Sequence, residues 1–306
     1  MVLGYVLRRI GMLNDNFVKV CNKLNFTVTL PCLVFKDLAN VDILAEFDLK
    51  YVLFCAFATS VGFFGAWALG KIFVKDKSSV GAFTQASFRS SAAVMGLAFI
   101  QNIYGESAMG ALMIIGAVPL YNVYSVIVLT IEGDKDENGN RKNNRPEEGG
   151  QVKKTVINIV TNPIIIGVVL GIIFGLLNNP LPELLNTSVE SVAKTATPLA
   201  LLALGAGFEG RKAIKKIRPT IGATAFKLII QAAIFIPIAI ACGYTGEKLV
   251  ALVIMLAAPA TPSCYIMAQQ MHNDDVLTAS VVVSTTLVAS VTLTAWIFLL
   301  RMLGYI

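Results

Sequence analysis

Charge is scarce in this sequence: Asp, Glu, Lys and Arg make up only 14% of its 306 residues. A soluble domain of this size carries about 25% charged residues to cover its surface. Water is therefore not the main solvent of this chain. Segments of roughly ten alternating apolar and polar residues are also missing, which argues against an outer-membrane barrel. His272 is the single histidine, set in a short polar turn without Cys or carboxylates spaced for a metal. Cys21, Cys32, Cys55, Cys242 and Cys264 all fall in apolar segments and read as small buried hydrophobes. No nucleophile–base pair stands out, so an enzyme is disfavoured and no cofactor or metal is expected. The +6 net charge is not a nucleic-acid footprint, because its distribution follows membrane topology.

What is present is apolar length: 56% of residues are apolar and the mean hydropathy is +0.70. Apolar runs of about 20 residues predict transmembrane helices. They lie near 17–38, 49–73, 80–103, 107–131, 155–177, 188–207, 219–242, 249–271 and 276–303. The expected fold is an all-α polytopic membrane protein. Before the first span lies "MVLGYVL", cut off by Arg8 and Arg9. Seven helical residues rise only about 10 Å and cannot cross a hydrocarbon core of about 30 Å.

Alternate connections hold 16 of the 25 Lys and Arg residues, and the opposite set with the C-terminal end holds four. That asymmetry puts the first set in the cytoplasm and the C-terminus outside. The longest connection, 132–154, is polar, Gly-rich and mixed in charge, and reads as a flexible cytoplasmic linker.

A weak duplication runs at an offset of 167 residues. "VLG" occurs at 2–4 and again at 169–171, and Pro31 and Pro198 each follow the final glycine by 27 residues. The spans obey the same shift, so residues 1–131 and 155–306 read as two repeat units around the linker. Five spans per unit is an odd number, which inserts the second unit upside down. Inverted repeats mark secondary transporters, with the substrate site near the midplane between them. The shift also maps the start of the 155–177 helix upstream of Met1, so the first helix is expected to be incomplete.

Two spans carry a break at matching places. "MLAAPATPSCYIMAQQM" has Pro259 and Pro262 near mid-span. Proline removes a donor and clashes one turn back, so the helix should stop and restart. Thr261 is the expected N-cap, Pro262 the first helical residue, and Ser263 follows. A restarted helix presents free N–H groups and a positive dipole end, which attract an anion. The partner segment, "FTQASFRSSAAVMGLAFIQNIYG", has Ser90 and Ser91 at mid-span but no proline. A proline kink or back-bonded serine is the plainer alternative for each.

"LNFTVTLPCLVF", "FRSSAAVMGLAFIQNIYG", "NPIIIGVVLGIIFGLL", "TPLALLALGAGF" and "APATPSCYIMAQQM" together resemble the auxin efflux carrier family across nearly the whole chain. The resemblance implies ten helices in two inverted five-helix repeats, with the fourth and ninth crossing at broken points. It also implies a transporter that forms homodimers in many members. The short linker is similar to the prokaryotic, plasma-membrane branch, whose members are described as permeases for malate or malonate. Ser91 and Ala98 stand where the family commonly has Asn and Pro. Pro262 matches the crossing proline, and Asn22 matches an Asn nine residues before Pro31.

The expected function is transport of a small organic anion, a carboxylate, by alternating access within the lipid bilayer. Ser90, Ser91, Thr261, Pro262 and Ser263 would form the polar centre, Arg89 and Lys227 would supply positive potential, and Asn22 would lie nearby. Arg89 could instead pair with a carbonyl or Asp, and Lys227 could snorkel to the interface. No Asp or Glu reads as lying at mid-span, which disfavours strong ion coupling. Two alternatives stay open: a sodium- or proton-coupled symporter of related fold, and a membrane ligand sensor using the linker.

Overall fold

The computed structural model describes residues 1–39, 48–93, 97–104, 108–133, 156–177 and 181–306, and all regular elements among them are helical. Apart from Glu132 and Gly133, the 132–154 linker lies outside the described residues, as does the side chain of Ala98.

Helix α1 spans Val2–Arg9. Helix α2, Asp15–Leu24, starts where the Asn14 side chain accepts the Phe17 N–H at 2.8 Å. It runs through a wide π-turn at Asn25–Thr29 into α3, Leu30–Ala39. Pro31 cannot donate to the carbonyl four residues back, and the wide turn just before it absorbs that mismatch. Helix α4 covers Leu49–Phe73, α5 Val80–Phe88, α6 Leu97–Tyr104 and α7 Ala108–Glu132. Then come α8, Pro163–Leu177; α9, Glu183–Gly207; the short α10, Gly210–Lys215; and α11, Ile217–Ala225. A second π-turn, Phe226–Ile230, leads into α12, Gln231–Ala241. Helices α13, Gly246–Ala257, α14, Ser263–Gln270, and α15, Asp275–Met302, complete the chain.

Among the described residues, four stretches are long and apolar enough to cross a membrane: Leu49–Phe73, Met109–Glu132, Ile217–Ala241 and Asp275–Met302. The outer faces of three of them, all but Met109–Glu132, expose Phe64, Phe73, Ile221, Leu287 and Phe298. So broad an apolar exterior fits a hydrocarbon solvent. The protein is an integral membrane protein.

The helices sort into two packed groups. In one, α9 contacts α1, α2 and α3, while α3 also lies along α8. In the other, α4, α5 and α7 pack together and against α11 to α15. Two glycines show how closely the first group approaches. A Cβ on Gly4 would strike the Leu202 carbonyl oxygen, and one on Gly171 would meet that of Phe35 at 3.0 Å. These contacts are related residue for residue by the 167-residue shift.

A charged knot ties three elements at the end of the second group. Lys216 Nζ donates to Asp76 Oδ2 at 2.6 Å, pairs with Asp274 Oδ2 at 2.8 Å, and reaches Ser79 Oγ at 2.9 Å. Burial works against both charges. Hydrogen bonds from Lys216 and Ser78 nonetheless hold Asp76 below its ordinary 3.8. Asp274 and Asp76 likewise hold Lys216 above 10.5. The Asp76 contribution is present above pH 3.8 and is lost as pH falls through the depressed pKa. The Lys216 contribution is present below pH 10.5 and is lost as pH rises through the raised one. The knot therefore acts across the neutral range. Lys216→Met is expected to lower stability by about 1–3 kcal/mol, read by thermal unfolding in detergent, between the ranges for exposed and buried pairs. An unchanged unfolding temperature would mean the knot contributes nothing.

Candidate functional site

The site forms where two helices stop in mid-protein and cross. Helix α13 ends at Ala257, Ala258 is extended, and α14 begins at Ser263 with Pro262 as its cap residue. This corrects the expected start by one position. The Thr261 hydroxyl is not the N-cap: it hydrogen-bonds Ser263 Oγ at 3.1 Å. The first turn is tight instead, with Cys264 N–H donating to Thr261 O at 3.0 Å and Tyr265 N–H to Pro262 O at 3.1 Å. Those donors are thereby satisfied internally. What faces the centre is a pair of hydroxyls backed by a positive dipole end.

The partner arm breaks without a proline. Helix α5 ends at Phe88 and Arg89 turns extended. Ser91 N–H then donates to the Pro259 carbonyl of the other arm at 3.0 Å, and Ser90 Oγ reaches the Ala258 carbonyl at 3.5 Å. A backbone donor released by one broken helix is thus satisfied by an acceptor released by the other. Thr285 of α15 adds a further bond, its Oγ1 accepting the Ala260 N–H at 3.1 Å.

The loose end of α13 is held by side chains. Tyr121 O–H donates to the Met255 carbonyl at 3.2 Å, and Lys227 Nζ donates to Leu256 O at 2.9 Å. Lys227 is fully buried, with the Met255 carbonyl and Gln231 Oε1 also in reach. Snorkelling is excluded. An ammonium at the negative end of a helix is electrostatically favourable and satisfies orphan carbonyls.

Arg89, Ser90, Ser91, Thr261 and Ser263 line one cavity of about 50 Å³, together with Asp37, Tyr121 and Asn122. Five of the eight expected site residues therefore meet there, while Asn22, Pro262 and Lys227 do not line it. Asn22 Nδ2 instead bonds Gln269 Oε1, joining α2 to α14. Arg89 is buried, with Nη1 on Met267 Sδ and Nη2 on Asn122 Oδ1, both at 2.8 Å. No carboxylate pairs with it among the described residues. Three polar liners, Asp37, Tyr121 and Asn122, are not among the expected site residues. Asn122 gave a signal, a lone amide in the apolar run "VPLYNVYSVIVL". Asp37 falls at the end of the predicted 17–38 span, yet it lines the cavity from α3.

Fixed hydroxyls, a buried guanidinium without an acidic partner and a helix dipole together suit a small anion. A comparison with curated proteins found no match. A family model described as "Membrane transport protein" matches residues 1–297, the same family that the sequence resembles. With crossed broken helices inside an apolar helical bundle, the chain belongs to this Mem_trans family of membrane transporters.

Proposed function

We propose that this protein is a secondary transporter carrying a small organic anion, a carboxylate, through the crossing by alternating access. One observation carries the reading: Arg89 is buried at the crossing without a carboxylate partner among the described residues. A buried cation is costly unless an anion arrives to pair with it. The cavity of about 50 Å³ admits water, whereas ligand pockets span about 300–1,000 Å³. Carriage therefore requires the α1–α3, α8 and α9 group to move apart from the crossing group. The Asn22–Gln269 bond lies on the side of the Lys216 knot, while the cavity climbs along α3 to Asp37. Substrate would enter from the Asp37 side and leave once the Asn22 contact parts.

The wider proposal is a pair of inverted repeats, 1–131 and 155–306, in a prokaryotic plasma membrane. The linker would be cytoplasmic, the C-terminus outside, and a homodimer the working unit. The shift-related Gly4–Leu202 and Gly171–Phe35 contacts support the repeat.

A coupled mechanism is favoured by Asp37. This carboxyl shares the cavity with Arg89, and its neighbour Lys36 turns to Glu190 at 3.6 Å. An anion arriving in the same cavity would be repelled by an ionised Asp37, so its binding favours uptake of a proton or cation at that carboxyl. Proteoliposome uptake of a dicarboxylate, a monocarboxylate and an indole acid tests both readings. Under the coupled reading, a proton or sodium gradient at zero voltage drives uptake, and Asp37→Asn abolishes that drive while sparing voltage-driven flux. Flux driven by voltage alone, in parent and variant alike, leaves the uncoupled reading. Ligand binding without any flux would instead mean a sensor.

A further inference from the structure

A further groove lies away from the crossing, on the outside of the second helix group. It has a volume of about 510 Å³, with α4 and α11 as walls and the start of α5 as floor. One end is basic, lined by Lys75, Lys215, Lys216 and Arg218; the remainder is apolar, with Phe73, Phe83, Phe226 and Ile230. Arg218 and Ile230 are 12 residues apart along one continuous helix, so the groove descends about 18 Å into the apolar layer.

The charges at its mouth are unevenly employed. Lys216 is committed to Asp76 and Asp274. Nearby Lys77 donates to the Lys71 and Val74 carbonyls, and Lys71 sits over the Trp67 ring at 4.5 Å. Lys75, Lys215 and Arg218 are exposed and have no acidic partner among the described residues. Three unspent cations thus ring the polar end of a slot whose other end is hydrocarbon-like.

We propose that this groove binds one anionic phospholipid, its phosphate on Lys75, Lys215 and Arg218 and an acyl chain between α4 and α11. Charge complementarity selects the headgroup, since basic residues at the membrane surface attract anionic lipid. The apolar walls select a chain-bearing ligand over free phosphate. Gly222 shapes the slot: a Cβ there would meet only the Phe83 ring, at 3.7 Å, so a larger side chain projects into the groove without striking backbone.

Native mass spectrometry of the detergent-purified protein, titrated with phosphatidylglycerol or phosphatidylcholine, tests this. The parent is expected to retain one phosphatidylglycerol with a preference of about tenfold to a hundredfold, the scale expected for three surface cations. The triple variant Lys75→Gln, Lys215→Gln, Arg218→Gln should lose that preference. The charge-conserving Lys75→Arg, Lys215→Arg, Arg218→Lys should keep it. Gly222→Leu should lose retention with every charge in place. Equal retention of the two lipids, or an unchanged triple variant, overturns the site. Retention surviving Gly222→Leu reassigns the preference to diffuse surface charge, and displacement by equimolar glycerol phosphate removes the acyl chain from the proposal. Anion uptake plays no part in these readouts, so failure here leaves the transport reading standing.

Discussion

Replacing Arg89 with methionine is expected to reduce uptake of the carried anion at least about tenfold to a hundredfold, the worth of one charge-assisted pair. The same variant should unfold within about 1 kcal/mol of the parent, because exchanging a buried charge for an apolar side chain of similar length is often neutral. That combination is unusual for a fully enclosed residue, and it follows from the surroundings. The guanidinium donates to a thioether sulfur and an amide oxygen, and no carboxylate among the described residues depends on it. Removing it leaves only the Asn122 side-chain oxygen, Oδ1, short of a donor. Arg89→Lys should fall between the two, since an ammonium keeps the charge but loses the planar fork that grips a carboxylate. Proteoliposome uptake and thermal unfolding decide it. Parental uptake in Arg89→Met would remove Arg89 from the anion site. A large loss of stability would make Arg89 a structural strut.

Thr261→Leu and Ser91→Leu are each expected to abolish uptake while membrane insertion and purification yield stay normal. Both side chains line a cavity of about 50 Å³, so an isobutyl group consumes the free space and removes a hydroxyl. The crossing itself should survive. Its central bond is between backbones, Ser91 N–H to Pro259 O, and a change of side chain leaves it in place. Thr261→Leu also frees the Ser263 hydroxyl from its partner at 3.1 Å, which weakens the polar centre further. Thr261→Ser keeps that hydroxyl and most of the space, and should transport near the parental rate. Uptake by either leucine variant at the parental level would move the substrate route away from the crossing.

The two arms of the crossing were not equally legible. Pro259 and Pro262 announce a break in any context, because a missing donor is a local covalent fact. The arm at Phe88 carries no such mark: its serines bond their own helix in many membrane proteins. There the break rests on an acceptor 168 residues further along the chain, the Pro259 carbonyl. Lys227 makes the same point. Sequence position left it between an interface lysine and a substrate attractor, and the outcome turned on where α13 ends. Its carbonyls at Met255 and Leu256 supply the partners that a buried ammonium needs.

Composition and the spacing of apolar runs were enough to establish a helical membrane protein, four of its spans among the described residues and one broken helix. Each of those depends on local covalent chemistry or on the thickness of a bilayer. The 167-residue shift and the family motifs carried the reading as far as a transporter. The two broken segments named five polar groups of the cavity, Arg89, Ser90, Ser91, Thr261 and Ser263, but no segment named the other three. Asp37 looked like a span-end residue and Asn122 like an isolated amide, until α3 and α7 were packed against the crossing. Sidedness of that kind follows from helix rotation and long-range contact, and local pattern has no term for either.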